Sequence, residues 1–179
     1  MTADAFAYAV TGNDLFGVLD LNTGVFTELG DMGQRLVGLG VGPGGVLYGA
    51  AYSGGGYGAY HSPNLYSVNS TNGALTLVSN GFSAGFYDFG STTNGLYADG
   101  SDGNLYSINP NTGAATLIGP TLLENFMSTG SSALYVTGLN DLSSINTTTG
   151  AATLVGFPNA GYIDVVAEGG TIYACIGGL

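Results

Sequence analysis

LYSINPNTGAATLIG, residues 105–119, recurs with small changes as FGVLDLNTGVFTELG (16–30), LYSVNSTNGALTLVS (65–79) and LSSINTTTGAATLVG (142–156). In each copy the middle is a turn. Asn109 is placed to accept hydrogen bonds from backbone amides two or three residues on, Pro110 presets φ for the next corner, and Gly113 supplies a left-handed residue that closes the loop. Asp20 with Gly24, Asn69 with Gly73 and Asn146 with Gly150 repeat that corner. The flanks are β-branched and apolar without a helical period, so each copy reads as a β-hairpin.

The corner glycines lie 49, 40 and 37 residues apart, at positions 24, 73, 113 and 150. A period near forty with several strands per unit is the mark of a β-propeller blade, and it predicts an all-β single domain over residues 1–179. Naming the strands of a blade A to D from the inside outward, strand B carries Tyr8, Tyr48, Tyr97, Tyr135 and Tyr173, which makes five copies. Strand A is read four times, in LVGLG (36–40), YDFG (87–90), ENFM (124–127) and IDVV (163–166), and strands C and D four times each. Seventeen strands make a four-bladed propeller with one B strand to spare. The units are roughly 36–79, 86–119 and 124–156, and the closing blade is a composite of both termini, 163–179 plus 5–30. Joining the two ends in one sheet locks such a ring.

The LYSIN-x-x-TGAATL repeat resembles the β-propeller repeats of secreted bacterial proteins. The resemblance covers nearly the whole chain and implies a four-bladed propeller. It transfers no catalytic residue, because such repeats share turns and strands and not an active site.

Composition narrows the function. Lys and Arg together amount to one residue, Arg35, against twelve acidic residues, for a net charge of -11. One arginine cannot neutralise a phosphate backbone, so nucleic acids, anionic membranes and phosphorylated substrates are disfavoured. No run of eighteen apolar residues is present to insert in a membrane. The start, MTADAFAYAV, lacks the basic and hydrophobic stretches of a signal peptide and suits a mature chain whose leader was removed. A single cysteine, Cys175, permits no internal disulfide and reads as a small buried hydrophobe.

Four groups of residues are candidate sites. In the spare B strand, Phe6, Tyr8 and Val10 or Ile172, Tyr173, Cys175 and Ile176 present an apolar edge that could pair with another chain, with a fifth strand on the same blade or a loose end as the alternatives. On strand A, Asp88, Asn125 and Asp164 stand at equivalent positions, with Gly38 as the fourth, and could converge on a Ca²⁺ ion or simply bond their own neighbours. The loop SGGGYGAYHSP (53–63) carries Tyr57, Tyr60 and the sole histidine, His61, which could stack on a sugar ring. Asp99-Gly-Ser-Asp-Gly-Asn104 has oxygen side chains at calcium-loop spacing but no closing glutamate, and reads better as an Asp-Gly hairpin. No lysine is available for Schiff-base chemistry, and no GxSxG or HExxH occurs. The expectation is a non-enzymatic extracellular structural protein with no cofactor, which associates with copies of itself by donating a terminal strand. A glycan- or small-molecule-binding propeller using the 53–63 loop is the alternative.

Overall fold

In the computed structural model, which describes residues 5–51, 64–80, 86–121, 126–127, 129–130, 133–137, 141–156, 162–168 and 171–176, the four corners form as their residues require. Asn109 Oδ1 accepts from the amides of Asn111 and Thr112 at 2.9 and 3.2 Å, and the Gly113 amide donates to the Asn109 carbonyl at 2.8 Å. Asp20 and Asn146 do the same, Asn69 Oδ1 accepts from the amide and hydroxyl of Thr71, and the closing glycines have φ between 70° and 80°. All these bonds lie within six residues of sequence. Each corner can therefore form before any tertiary contact.

Strands β1 (Phe6–Val10), β2 (Leu15–Asp20) and β3 (Phe26–Asp31) form a first antiparallel sheet. A second holds β4 (Leu36–Val41), β5 (Leu47–Ala51), β6 (Asn64–Val68) and β7 (Leu75–Ser79) in that order. The third runs β8 (Phe86–Thr92), β9 (Gly95–Gly100), β10 (Asn104–Ile108) and β11 (Ala115–Pro120). The fourth runs β12 (Phe126–Met127), β14 (Leu134–Thr137), β15 (Leu142–Ile145) and β16 (Ala152–Gly156). Of residues 124–127, expected as one strand, β12 is described, and a further short piece, β13 (Thr129–Gly130), lies outside the fourth sheet. It runs parallel between β8 and β17 (Tyr162–Glu168), with Thr129 opposite both Ser91 and Val166. Through it the third sheet continues to β17 and β18 (Thr171–Ile176), seven strands in all. No α-helix is found among the described residues, and Pro43–Gly45 is a single 3-10 turn.

The first strands of the sheets, β4, β8, β12–β13 and β17, lie beside one another, while the last strands, β3, β7, β11 and β16, are largely exposed. This is the inside-to-outside order expected of strands A to D. Three apolar clusters fill the spaces between successive sheets. Phe16, Met32, Leu47 and Val68 join the first sheet to the second. Tyr48, Leu65, Phe86, Phe89, Leu96 and Ile108 join the second to the third, and Tyr97, Leu105, Leu134, Val136 and Ile145 join the third to the fourth.

Every hairpin between the third and fourth strand of a unit carries a bulge at the same place. The ladder passes from Leu105↔Gly119 to Tyr106↔Leu117, which leaves Ile118 without a partner, and Leu29, Val78 and Val155 are skipped in the same way. A bulge bends the strand and re-aims one side chain. Val78 and Ile118 are thereby turned onto the next sheet's apolar cluster.

The composite closing sheet is not joined by a ladder among the described residues. β1 pairs with β2 and β18 pairs with β17, so both B strands have taken the B position, each beside a different neighbour. With β18 beside β17, that edge of β17 is closed to β1.

Candidate functional site

Register brings the inner residues into rows. The ladders Gly38↔Ala50, Asp88↔Asp99, Phe126↔Thr137 and Asp164↔Cys175 are equivalent rungs. A register shift immediately precedes Gly38, Asp88 and Asp164, so these three hold the same place in their strands. Gly38 lies directly against β8: a Cβ there would sit 2.7 Å from the Phe89 carbonyl oxygen and 3.0 Å from Asp88 Oδ1. The third sequence-expected residue needs a correction. The fourth sheet puts Phe126 on the rung of Asp88, one place later than the alignment that chose Asn125. Asn125 itself lies outside the described residues, and of Asp164 only the backbone position is described.

The pair that the structure does assemble is Asp88 with Asp99, which the sequence reading assigned to a hairpin. Asp99 is 1% exposed and Asp88 6%, and they face each other across the β8–β9 ladder. Directly opposed residues have Cβ atoms about 5 Å apart, close enough for two carboxylates to repel unless donors intervene. Donors are present: the Phe89 amide gives to Asp88 Oδ1 at 2.7 Å, and the Thr121 hydroxyl lies 3.2 Å from Asp99 Oδ1. Thr121 is anchored in turn by its amide, which donates to the Gly103 carbonyl at 3.0 Å. The signal for Asp99 was the repeat itself. Ala50, Thr137 and Cys175 hold its rung elsewhere, so a carboxylate there breaks the pattern. Among the described residues, no three His, Cys, Asp or Glu side chains gather as a metal site.

The Gly100-to-Asn104 turn behaves as a hairpin. Asp102 Oδ1 accepts from the Asn104 amide at 3.2 Å, and the Tyr106 hydroxyl donates to Asp102 Oδ2 at 2.7 Å. Partial burial raises the Asp102 pKa, but these hydrogen bonds outweigh it and hold the carboxyl below its usual range. The same hydrogen bond, with some burial and the carboxylate charge, pushes the Tyr106 phenol up.

The terminal strands complete the set. On β1, Tyr8 stacks on Phe16 with ring centroids 5.6 Å apart, Val10 packs into the same cluster, and Phe6 stands out 55% exposed. On β18, Ile172 and Tyr173 are half-buried, and of Cys175 and Ile176 only the backbone pairing is described. Tyr57, Tyr60 and His61 fall outside the described residues. No helix among the described residues is long and apolar enough to cross a membrane.

One corner differs chemically from its three relatives. Hydrogen bonds from the amide of Asn22, then from Thr23, hold the Asp20 carboxyl below 3.8, whereas the other corners use asparagine. A folded-state pKa below the unfolded one stabilises above the unfolded value and loses that contribution as pH falls through the folded pKa. The first corner is therefore expected to loosen in acid, below about pH 4, while the asparagine corners do not. Carboxyl ¹³C titration of Asp20, read beside amide shifts of Asn69, Asn109 and Asn146, checks this; a midpoint at or above 3.8 would refute it.

No protein-family model matches the chain, and no curated protein matches it significantly. Solved structures do. PorZ, a bacterial surface component of the type-IX secretion system of Porphyromonas gingivalis, superposes with a TM-score of 0.57 at 14% identity over 94% of this chain. A nidogen/laminin complex gives 0.61 at 13% identity over 89%, covering 64% of that chain. The gluconolactonase XC5397 of Xanthomonas campestris gives 0.60 at 12% identity over 97%, covering 67% of that chain. The chain spans 22% of PorZ and 41% of a similar Bacteroides thetaiotaomicron protein. The fold is β-propeller-like. At these identities the likeness speaks for fold alone, since propellers host unrelated functions.

Proposed function

We propose that the chain is a four-bladed β-propeller module of an exported structural or adhesive protein, which joins copies of itself through its terminal strands and performs no catalysis. The observation that carries this is the split end unit: among the described residues, β1–β2–β3 shows no first strand, and β17–β18 shows no third or fourth. Among the described residues, β1 and β18 each show a ladder on one side only, and unpaired strand edges recruit strands from other chains. If β18 is given to a neighbour, β17 is open to β1, and the donor closes its own unit as it extends the polymer. A donated strand makes a head-to-tail contact, and one that does not close on itself grows a filament.

The same fold serves a surface component and a gluconolactonase, so the choice rests on residues. With one Arg, no Lys and one His, the chain is poorly supplied with imidazole bases and with cationic, anion-binding groups. Electron microscopy at low and high concentration tests the proposal, with the chain lacking residues 171–179 as comparison and circular dichroism as the fold control. Filaments are expected from the full chain only. Single particles at every concentration would overturn it.

A further inference from the structure

Successive units dock by one repeated contact, and among the described residues one copy of each half of it is unused. On one side of the contact is the end of a last strand, with its bulged residue; on the other is the glycine corner of the following unit. Gly30 meets the corner at Asn72, Ser79 meets Gly113, and Gly119 meets Thr149 and Gly150. The corner glycines at 73, 113 and 150 are accordingly buried. Gly24 is exposed, and a Cβ built there would meet nothing within 4 Å. At the opposite end of the series a Cβ at Gly156 would likewise meet none of the described residues within 4 Å. Its bulged neighbour Val155 is the most exposed of the four at 53%, against 38% for Leu29, while Val78 and Ile118 pack against the next sheet.

We propose, building on the self-association put forward above, that the β15–β16 end of one copy receives the corner at residues 20–24 of a second copy. The partner is specified by the chain's own interior: three strand ends, at Gly30, Ser79 and Gly119, are each met by the corner of the next unit, and among the described residues the first corner is the copy left open. The two halves are different surfaces, so the contact is head-to-tail. Both copies carry a net charge of -11, so added salt, which screens their repulsion, strengthens association.

Two variants test it. Gly24→Asn keeps the left-handed corner, which asparagine tolerates, but puts a side chain where docking needs none; Val155→Asp puts a charge on the receiving end. Both positions are exposed, so each variant should fold, with urea midpoints as the control. Sedimentation velocity over a hundredfold concentration range is expected to show wild type growing past the dimer, each variant alone remaining monomeric, and their equimolar mixture stopping at a dimer, because each pair retains one intact contact. A monomeric mixture would overturn the proposal by placing the contact within one ring. Variants that assemble like wild type would overturn this interface while leaving strand donation standing, and a monomeric wild type would sink both.

Discussion

Replacing Gly113 with alanine is expected to destabilise the protein by about 2–5 kcal/mol, although it adds a single methyl group. Two costs combine. The residue sits at φ 70°, where an L side chain costs roughly 1–2 kcal/mol. Its new Cβ would also overlap the Ser79 side chain at the end of β7, and overpacking of this kind costs about 1–3 kcal/mol more. Ser79 cannot swing aside, because the atom met first is its own Cβ, fixed to the strand. Gly24→Ala provides the internal control: its φ is 73° but nothing stands near it, so only the backbone cost of about 1–2 kcal/mol should appear. Urea denaturation of the two variants side by side separates local strain from docking. Equal losses would mean that the corner of the third sheet does not seat on the second.

Phe16→Ala is expected to cost about 3–5 kcal/mol, the range for truncating a buried aromatic side chain. Phe16 is 0% exposed, lies at an interplanar angle of 12° to Tyr8, and belongs to the cluster that holds the first sheet on the second. It also backs the corner of that second sheet, since a Cβ at Gly73 would sit 2.8 Å from Phe16 Cβ. In a chain where each unit rests mainly on its neighbours, damage at one joint stays near that joint. Amide hydrogen exchange should therefore speed up in β1–β3 and β4–β7 well before β8–β11. A loss below about 1 kcal/mol, or uniform loss of protection, would contradict the joint.

What was legible in the sequence was what short-range chemistry controls. The corners close on their own Asn, Asp and Gly residues, and the order of strands follows from them. What was not legible depends on partners far along the chain. The sequence carries no periodic mark that Thr129–Gly130 lies outside the fourth sheet, because its place is set by parallel pairing with Ser91 and Val166. Asn125 was aligned with Asp88 by similarity to YDFG, yet the ladder to Thr137 shifts the row by one residue. Asp99 looked like an ordinary turn residue because an Asp-Gly pair dominates that stretch, whereas its buried carboxylate meets a hydroxyl donor in Thr121, twenty-two positions later. The doubled B strand was visible as a count. That each copy would take its own neighbour, with neither left loose, depends on the backbone pairing of β17 and β1.

The bulge shared by all four hairpins bears on how such a chain can come into being. A segment of about forty residues carries its own plug, the skipped apolar residue, and its own socket, the glycine corner. Duplicating that segment in the gene adds a unit that fits both of its new neighbours at once, with no fresh interface to evolve. Losing one leaves the flanking units still matched. Length can therefore vary between descendants by whole repeats, and selection is left to act on the two ends.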